Sequence, residues 1–376
     1  MTYDAIVVGA GPAGATAAYC LGEAGLKVLV LEKESLPRYK ACGGGIPRAV
    51  LDRFPFSFSS VIETWIDRVR FCFRDGRQVE TGIPRKSVAM VMRDRFDLHI
   101  LDHAQVEIED RTCVTDIHQR ESDVRVTTAS GQVLGAHYLI GADGANSCLS
   151  RLVGLRRDPR MGVAIEAEVP AGDQLQAEYG GTALFLFGIP TNGYLWVFPK
   201  AEHLSVGIGA LGKPPSNMKA TLKKEIEKLG ISLDGVRLHG HPLPIHWKRE
   251  PLHRGRVLLA GDAAGLMDPL LGEGIRHAID SGQLAAEAVL SGKPRQYSRR
   301  AQQAIGRDLL WGRRWAELFY QYTHGSFELA VRNPRFVSDF LRLFAGEMSY
   351  RRMAIRALPN LLLGLSSRLP ADRATA

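Results

Sequence analysis

The sequence predicts an α/β protein with a second, mainly antiparallel sheet inserted into it. Three observations support this prediction. The first forty residues alternate strand, helix and strand around a glycine-rich turn, and two later apolar segments, at 138–147 and 257–265, each run into a Gly-Asp turn. The stretches 61–92 and 156–249 alternate polar and apolar residues with the two-residue period of half-buried strands. A parallel sheet built from several chain segments, with an antiparallel insertion, accounts for all three.

The first unit extends from Asp4 to Glu32. An apolar, β-branched run leads into Gly9-Ala-Gly11-Pro-Ala-Gly14, a helical segment follows, and a second apolar run ends at Glu32. In such a βαβ unit, Gly9 permits the tight turn, Gly11 lets pyrophosphate approach the backbone, and Gly14 lets the helix pack on the strand. The free N–H groups of the helix N-terminus favour phosphate. The segment therefore predicts a dinucleotide site, and both NAD and FAD use this unit.

The composition narrows the class of protein. The chain has 376 residues, of which 45% are hydrophobic, which is ordinary for a soluble globular protein of about two domains. The five cysteines are scattered without a CxxC spacing, so we expect neither a disulfide framework nor a metal site. The absence of a signal-peptide pattern and of a long apolar run predicts a cytoplasmic protein.

Positive charge is concentrated near the C-terminus. From residue 293 onward there are 15 Lys/Arg and 6 Asp/Glu, whereas the whole chain carries +8. A basic region can face an anionic membrane, a phosphorylated substrate or an acidic redox partner, or can simply be solvated. The stretch from Phe340 through Ile355, Leu358 and Leu361 mixes apolar residues with arginines. It fits peripheral membrane contact, although a cap over the second sheet is the favoured interpretation. No motif indicates a nucleic-acid partner.

The three glycine motifs, in this order, resemble the flavoprotein monooxygenase-type fold. That fold is shared by aromatic hydroxylases, flavin halogenases and geranylgeranyl reductases, and the motifs span about three quarters of the chain. The resemblance implies FAD as cofactor, with Glu32 on the adenosine ribose and Asp262 on the ribityl chain. It places Gly272 and Gly274 near the pyrimidine edge of the flavin and Arg93 near the FAD.

The resemblance also implies a full cofactor-binding set and a domain division. The set is Gly9, Gly11, Ala13, Gly14, Glu32, Lys33, Gly43, Gly44, Arg93, Asp143, Gly144, Gly261, Asp262, Pro269, Gly272, Gly274 and Ile275. A Rossmann-like FAD/NAD(P)-binding domain of the aromatic-hydroxylase type is expected at 1–60, 93–155 and 250–292. The substrate domain is expected at 61–92 and 156–249, and a helical region at 293–376.

Two segments resemble geranylgeranyl reductases in particular. Tyr194-x-Trp196-x-Phe198-Pro199, followed by Gly207-x-Gly209, is similar to their substrate-domain pattern. The three aromatic residues alternate, so they share one face of a strand. They would line an apolar slot, or they would be ordinary sheet core. Flavin halogenases carry tryptophan and isoleucine in place of Tyr194 and Phe198. This chain departs from the halogenase pattern at both positions, which counts against halogenation.

The second segment is Pro37-Arg-Tyr-Lys-Ala-Cys42-Gly-Gly-Gly45. Bare glycines let the backbone approach a ring or a substrate closely, and Gly45 is assigned to the substrate side. Saturating an isolated C=C bond needs a hydride at one carbon and a proton at the other. Cys42 is the candidate proton donor or substrate-positioning group, and the alternative is a buried small residue with no chemical role. Arg38 and Lys40 are expected to meet a phosphate.

The predicted activity is therefore FAD-dependent reduction of an isoprenoid chain. NAD(P)H or a ferredoxin would supply electrons, and NAD(P)H would bind only transiently, since the sequence shows no second βαβ unit of the Gly9–Gly14 kind to hold a nicotinamide cofactor. Two alternatives stay open: an FAD monooxygenase acting on an aromatic or polyketide substrate, and a flavin-bound sensor without turnover. His277 and Asp280, three residues apart on a helix, are expected to form a surface pair rather than a proton relay.

Overall fold

The structure is a computed structural model that describes residues 2–156, 159–246 and 248–357. The strands are, in chain order, β1 (Thr2–Val8), β2 (Val28–Leu31), β3 (Gly45–Pro47), β4 (Ile62–Ile66), β5 (Arg68–Phe73), β6 (Gln78–Gly82), β7 (Val88–Val91), β8 (Glu107–Glu109), β9 (Val114–Gln119), β10 (Val124–Thr128), β11 (Val133–Gly141), β12 (Arg160–Pro170), β13 (Thr182–Phe187), β14 (Gly193–Pro199), β15 (His203–Ala210), β16 (His239–Ile245), β17 (His253–Arg254) and β18 (Val257–Leu259).

The α-helices are α1 (Pro12–Glu23), α2 (Arg48–Leu51), α3 (Arg93–Asp102), α4 (Cys148–Leu152), α5 (Asp173–Tyr179), α6 (Met218–Glu227), α7 (Ile275–Leu290), α8 (Pro294–Ala301), α9 (Arg307–Gln321), α10 (Thr323–Arg332) and α11 (Pro334–Phe344). Residues 350–357 are also helical. Short 3₁₀ turns lie at Ser59–Val61 and Gly261–Ala264, and a π-helical turn at Gln302–Gly306 joins α8 to α9.

The first sheet is the parallel one. Its strands lie in the order β17-β18-β11-β1-β2-β8, and β9 and β10 pair beside β11. The neighbours β18, β11, β1, β2 and β8 are parallel to one another. Residues 5–8 of β1, 28–31 of β2, 139–141 of β11 and 257–259 of β18 are buried, whereas the edge strand β8 is partly exposed. Strands covered on both faces need continuous apolar runs, which is what the β1, β2 and β18 segments supply. Helix α1 packs against α3 and α7 beside this sheet.

The turn after β1 requires glycine at its first position. Gly9 has φ +103°, and a methyl group there would overlap the Ala142 carbonyl at the end of β11. Gly14 is needed for packing, because a methyl group there would overlap the Gly9 carbonyl. Two of the three glycines in the motif are therefore fixed by contacts within the protein.

The second sheet is mainly antiparallel and has two packed faces. Its order is β16-β12-β15-β14-β13-β5-β6, with only β13 and β5 parallel. Leu195 and Val197 of β14 pack on the face that contacts α6, whereas Trp196 and Phe198 belong to the opposite cluster with Phe185. The period-two alternation of the sequence therefore separates two cores.

Two glycines of β15 make room for the indole of Trp196. Gly207 lies opposite Trp196 in the β14–β15 register, and Gly209 lies opposite Tyr194. A side chain at Gly207 would overlap the Trp196 ring. The Gly207-x-Gly209 pattern thus has a packing cause, which is to let a large ring lie flat across the neighbouring strand.

A small third sheet joins the two large ones. Its order is β3-β7-β4, so it pairs residues 45–47 with residues 88–91 and 62–66. The glycine segment at 43–45 enters this sheet directly, and Arg93 begins α3 two residues after β7 ends. The sheet therefore straddles the predicted domain boundaries at 60/61 and 92/93, and those boundaries stay a prediction.

The C-terminal helices cover the aromatic face of the second sheet. Phe340 of α11 packs edge-on against Phe71, with ring centroids 5.4 Å apart, and Phe344 packs edge-on against Phe185 at 5.5 Å. Leu343 is fully buried. This part of the 340–361 stretch packs as a cap, while Leu358 and Leu361 lie outside the described residues. The predicted α/β class with an antiparallel insertion and a helical C-terminal region is confirmed. Among the described helices, none combines the length and apolarity that crossing a bilayer requires.

Candidate flavin and substrate site

One cavity of about 880 Å³ connects the first glycine turn to the aromatic face of the second sheet. Its lining comes from the ends of β1, β2 and β11, from the glycine segment 42–45, and from β12, β13, β14 and β16. The carboxyl ends of parallel strands are where open α/β sheets bind ligands. The antiparallel sheet closes the opposite side of this cavity.

The dinucleotide end is built around Glu32 and Arg38. The Glu32 carboxylate accepts hydrogen bonds from the Ala10 backbone N–H at 2.8 Å, from the Glu34 backbone N–H at 3.1 Å and from Arg38 Nε at 3.1 Å. Arg38 also reaches Asp97 at 3.3 Å, whereas its buried Nη1 has no partner among the described residues. Helix α1 begins here without a side-chain cap, so its first N–H groups stay available to an anion.

Asp262 lies at the next position along the cavity, in the 3₁₀ turn after β18. Arg156 holds this turn by donating to the carbonyls of Asp262 and Ala263 at 2.8 and 3.1 Å. Lys40 Nζ lies 4.0 Å from the Asp262 carboxylate and 2.6 Å from His241 Nε2. Burial, together with the Lys40 charge, lowers the pKa of His241, so its imidazole is neutral and accepts from Lys40.

Cys42 faces a guanidinium. Arg93 is buried and forms a two-point ion pair with Asp97, both bonds being 2.8 Å long. The same guanidinium lies within hydrogen-bonding reach of the Cys42 thiol, and the Asp97 carboxylate raises the pKa of Arg93 against the effect of burial. Both residues line the cavity.

The far end of the cavity is aromatic and aliphatic. Tyr194, Trp196 and Phe198 line it in succession, together with Phe185 and Phe344. The Tyr194 hydroxyl donates to the Leu271 carbonyl, which leaves the ring itself facing the cavity. These rings also belong to the sheet core. The two interpretations of the stripe are therefore compatible, because one edge of the core is the wall of the slot.

The turn at 268–274 is held in place by three tyrosines. The Asp268 carboxylate accepts from the Leu271 backbone N–H at 2.8 Å and from the Tyr350 hydroxyl, and burial raises its pKa to about 6. Tyr320 donates to the Leu270 carbonyl, and Tyr194 donates to that of Leu271. Gly272 and Gly274, which follow, face the cavity.

His277 lies behind this turn, and the predicted surface pair with Asp280 is wrong. His277 is buried, because α7 directs this side into the protein, while Asp280 pairs with Arg53 instead. Neither ring nitrogen of His277 has a partner among the described residues, and burial lowers its pKa well below the usual value. One ring nitrogen lies within 4.8 Å of carboxylate oxygens of Asp268 and Glu273.

The predicted site residues converge on this one cavity with two exceptions. The lining includes Gly9, Gly11, Ala13, Glu32, Lys33, Cys42, Gly43, Gly44, Gly45, Arg93, Asp143, Gly144, Tyr194, Trp196, Phe198, Gly261, Asp262, Gly272, Gly274 and Ile275. Gly14 and Pro269 do not line it. Gly14 lies against the Gly9 carbonyl and Pro269 is buried in its turn.

Sequence reasoning missed a group of polar residues that come from the second sheet. Glu166 of β12 and His239 and His241 of β16 line the cavity, and Lys200 lies just behind it at the end of β14. None of them belongs to a recognisable motif. Charged residues within alternating strands normally face solvent, so only the packing of the sheet against the 39–44 segment reveals their position.

The residues present fit a flavin dinucleotide. An uncapped helix N-terminus and the unpartnered Nη1 of Arg38 suit a pyrophosphate, and the Glu32 and Asp262 carboxylates suit hydroxyl groups. Gly11 has no backbone atom near the position of a methyl group, the nearest atom being Arg38 Nη2 at 3.5 Å. Space is therefore open where the phosphates would approach.

Comparisons with known proteins agree with this site. Residues 1–52 match the family model described as Thi4 family. The geranylgeranyl diphosphate reductase of Rhodobacter capsulatus is 33% identical over 78% of each chain. The digeranylgeranylglycerophospholipid reductase of Methanosarcina acetivorans is 30% identical over 76% of this chain and 74% of the relative.

Solved structures give the same result. The crystal structure of a geranylgeranyl bacteriochlorophyll reductase-like protein from Thermoplasma acidophilum superposes with a TM-score of 0.75. It is 25% identical, and the match covers 85% of this chain and 88% of the other. The flavin-dependent brominase Bmp2, at 18% identity and a TM-score of 0.72, shares the fold. The glycine motifs, the cavity and these relatives together place the chain in the geranylgeranyl reductase family of flavin-dependent oxidoreductases.

Proposed function

We propose that this protein is an FAD-dependent reductase of isolated carbon–carbon double bonds in an isoprenoid chain. The supporting observation is the continuity of one cavity, from the dinucleotide turn at Gly11 to the slot formed by Tyr194, Trp196 and Phe198. A prenyl chain presents only apolar surface, and rings bury such a surface well. Relatives named for geranylgeranyl diphosphate, menaquinone and an archaeal-type phospholipid differ in head group but share a polyprenyl part.

FAD would be held by the glycine turn, Glu32, Asp262 and the 272–274 segment. In its reduced form it supplies the hydride that one alkene carbon receives. The head group attached to the prenyl chain would determine whether the substrate is a prenyl diphosphate, a quinone or a glycerolipid. The electron source would be NAD(P)H or a ferredoxin.

The remaining chemistry belongs to the chain itself. The aromatic wall excludes water and orients the double bond, which is required because an isolated alkene has no polar group to direct it. The Cys42 thiol gives its proton to the second alkene carbon. The S–H bond breaks, a C–H bond forms, and the thiolate left beside the Arg93 guanidinium takes a proton back from solvent after the product leaves.

Flavin affinity tests the dinucleotide end. Glu32→Ala is expected to weaken FAD binding about tenfold or more, because it removes a charged acceptor and unpairs the Ala10 N–H and Arg38. Equilibrium titration of the apoprotein with FAD measures the change. Glu23→Ala, at an exposed position of α1 away from the cavity, is the matched control. Equal affinities for the two variants would contradict the assignment of Glu32.

Product analysis tests the function. The flavin-loaded protein is reduced anaerobically with dithionite, which bypasses the unknown donor, and is incubated with a panel of prenyl diphosphates, prenylated quinones and prenyl glycerolipids. Mass spectrometry is expected to show a gain of two mass units per reduced double bond with at least one lipid. If no lipid in the panel gains mass, and admitting oxygen instead gives an oxygenated aromatic product, the protein is a monooxygenase.

A further inference from the structure

A buried lysine holds the segment from Tyr39 to Gly44 in place through hydrogen bonds. Lys200 follows directly after β14, is only 1% exposed, and donates to the Gly43 carbonyl at 2.8 Å and to the Val91 carbonyl at 2.7 Å. It thereby joins the glycine segment, the small sheet and the end of the aromatic strand at one atom. Burial lowers the pKa of Lys200, so its ammonium form is maintained at a cost.

A buried glutamate holds the first half of the same segment through a hydrogen bond. Glu166 of β12 is 2% exposed, accepts from the Tyr39 hydroxyl at 2.7 Å, and lies near the Cys42 backbone N–H. Tyr39 in turn packs on the ring of His239, with centroids 4.4 Å apart. The antiparallel sheet therefore holds the cavity-facing segment on both sides of the Cys42 thiol.

The hydrogen-bond partners of these two charges are neutral: the Tyr39 hydroxyl and the Gly43 carbonyl of the segment, and the Val91 carbonyl of β7. Removing a carboxylate and an ammonium from water is costly, and apolar residues of similar volume commonly pack at least as stably. A merely structural contact between sheet and segment would not need them. Lys200 acts instead on the Gly43 carbonyl, immediately after Cys42, and Glu166 on the Tyr39 hydroxyl, three residues before it. Together they fix the segment relative to Trp196 and Phe198.

We propose that Glu166 and Lys200 are positioning residues that hold the Cys42–Gly44 backbone, and with it the Cys42 thiol, at a fixed place between the flavin site and the prenyl slot. The chemical consequence for proton delivery depends on the proposed function. The positional claim does not, because it concerns this chain alone.

The strength with which these two residues hold the segment depends on pH through the ionisation of Glu166. Burial raises the pKa of Glu166 to about 7. The titratable or charged groups facing it are Tyr39 and Cys42 on the segment, Glu168 on β12, Lys200 after β14 and His239 on β16. Because this pKa is raised by folding, the associated stability is present at low pH and is lost as pH rises through about 7. The ionised carboxylate is the stronger acceptor for the Tyr39 hydroxyl, so the local hold on the segment is tightest above that pH even though the folding stability is lower there.

The test measures Cys42 directly. Flavin-loaded wild type, Glu166→Gln and Lys200→Met are alkylated with iodoacetamide at pH 8, and the Cys42 peptide is quantified by mass spectrometry. Each variant is expected to increase the Cys42 alkylation rate about tenfold, the change expected from losing one buried charged hydrogen bond. The other cysteines serve as internal references. The controls are Glu227→Gln and Lys223→Met, both at exposed positions of α6.

A pH profile separates positioning from simple support. The rate of prenyl reduction by the wild type is expected to inflect near pH 7, and Glu166→Gln is expected to remove that inflection while keeping its flavin spectrum. Unchanged Cys42 alkylation in folded Glu166→Gln, which is nearly isosteric, overturns the proposal even if Lys200→Met does not fold. If Cys42 is alkylated faster in the variants but the wild type reduces no prenyl lipid, the positioning role is supported and only the proposed function is rejected.

Discussion

Replacing Cys42 by alanine is expected to lower the rate of double-bond reduction by about a hundredfold or more, the usual contribution of a general acid. Flavin affinity is expected to change little, because the cofactor contacts lie on other residues of the cavity. The second carbon of the alkene would then depend on stray water for its proton, in a slot whose rings exclude water. Single-turnover reduction of a prenyl lipid by dithionite-reduced enzyme measures this rate without involving the natural electron donor.

Two comparisons make the Cys42 result specific. Cys72→Ser changes a partly buried cysteine of the antiparallel sheet that does not line the cavity, and it should leave the rate unchanged. Arg93→Lys should reduce the rate less than Cys42→Ala, because a lysine retains the charge but loses the two-point pairing with Asp97. Full activity in Cys42→Ala would show that the proton comes from another group.

Gly44→Ala is expected to destabilise the protein by about 3 kcal/mol, the sum of left-handed backbone strain and overpacking. Gly44 has φ +75°, and a methyl group there would overlap the Val91 carbonyl oxygen and Lys200 Nζ. The added methyl group therefore displaces the Lys200 ammonium from its hydrogen bonds as well as straining the turn. Urea unfolding gives the free energy, and the flavin content of the purified protein reports whether the cavity still forms.

The neighbouring glycine supplies the control for this effect. A methyl group at Gly45 would meet Met90 Sδ at 3.7 Å, an ordinary contact, and Gly45 is not among the positive-φ glycines. Gly45→Ala should therefore change the unfolding free energy by less than about 1 kcal/mol. Similar losses in both variants would mean that the segment tolerates no side chain anywhere, and that its glycines serve a ligand rather than the protein's own contacts.

The contacts around Gly43 and Gly44 show why these positions need glycine. The sequence predicts bare backbone beside a ring or a substrate, and Gly43 does meet a ring, since a methyl group there would lie 2.8 Å from Phe198 Cδ2. That ring belongs to the protein itself. Gly43 and Gly44 are thus required by close packing on Phe198, Val91 and Lys200, independently of any bound molecule.

The sequence alone determined the parts of this protein that depend on short-range rules. The turn at Gly9–Gly14, the acidic end of β2 at Glu32 and the Gly-Asp turn at Asp262 each follow from local steric and phosphate-binding requirements. The alternation of Tyr194, Trp196 and Phe198 likewise fixes which face of β14 they share. These local features were enough to predict the fold class and the convergence of most of the lining residues.

Only the tertiary structure decided which polar groups meet the glycine segment. Glu166, Lys200, His239 and His241 are scattered over 76 residues of sequence between the first and the last, and no local pattern distinguishes them from surface charges. His277 was misplaced for the same reason, because helical spacing sets a shared face but not the neighbour that covers it. Long-range strand pairing brings these side chains together, and burial then changes their pKa values. Neither effect leaves a trace in the residues next to them in the chain.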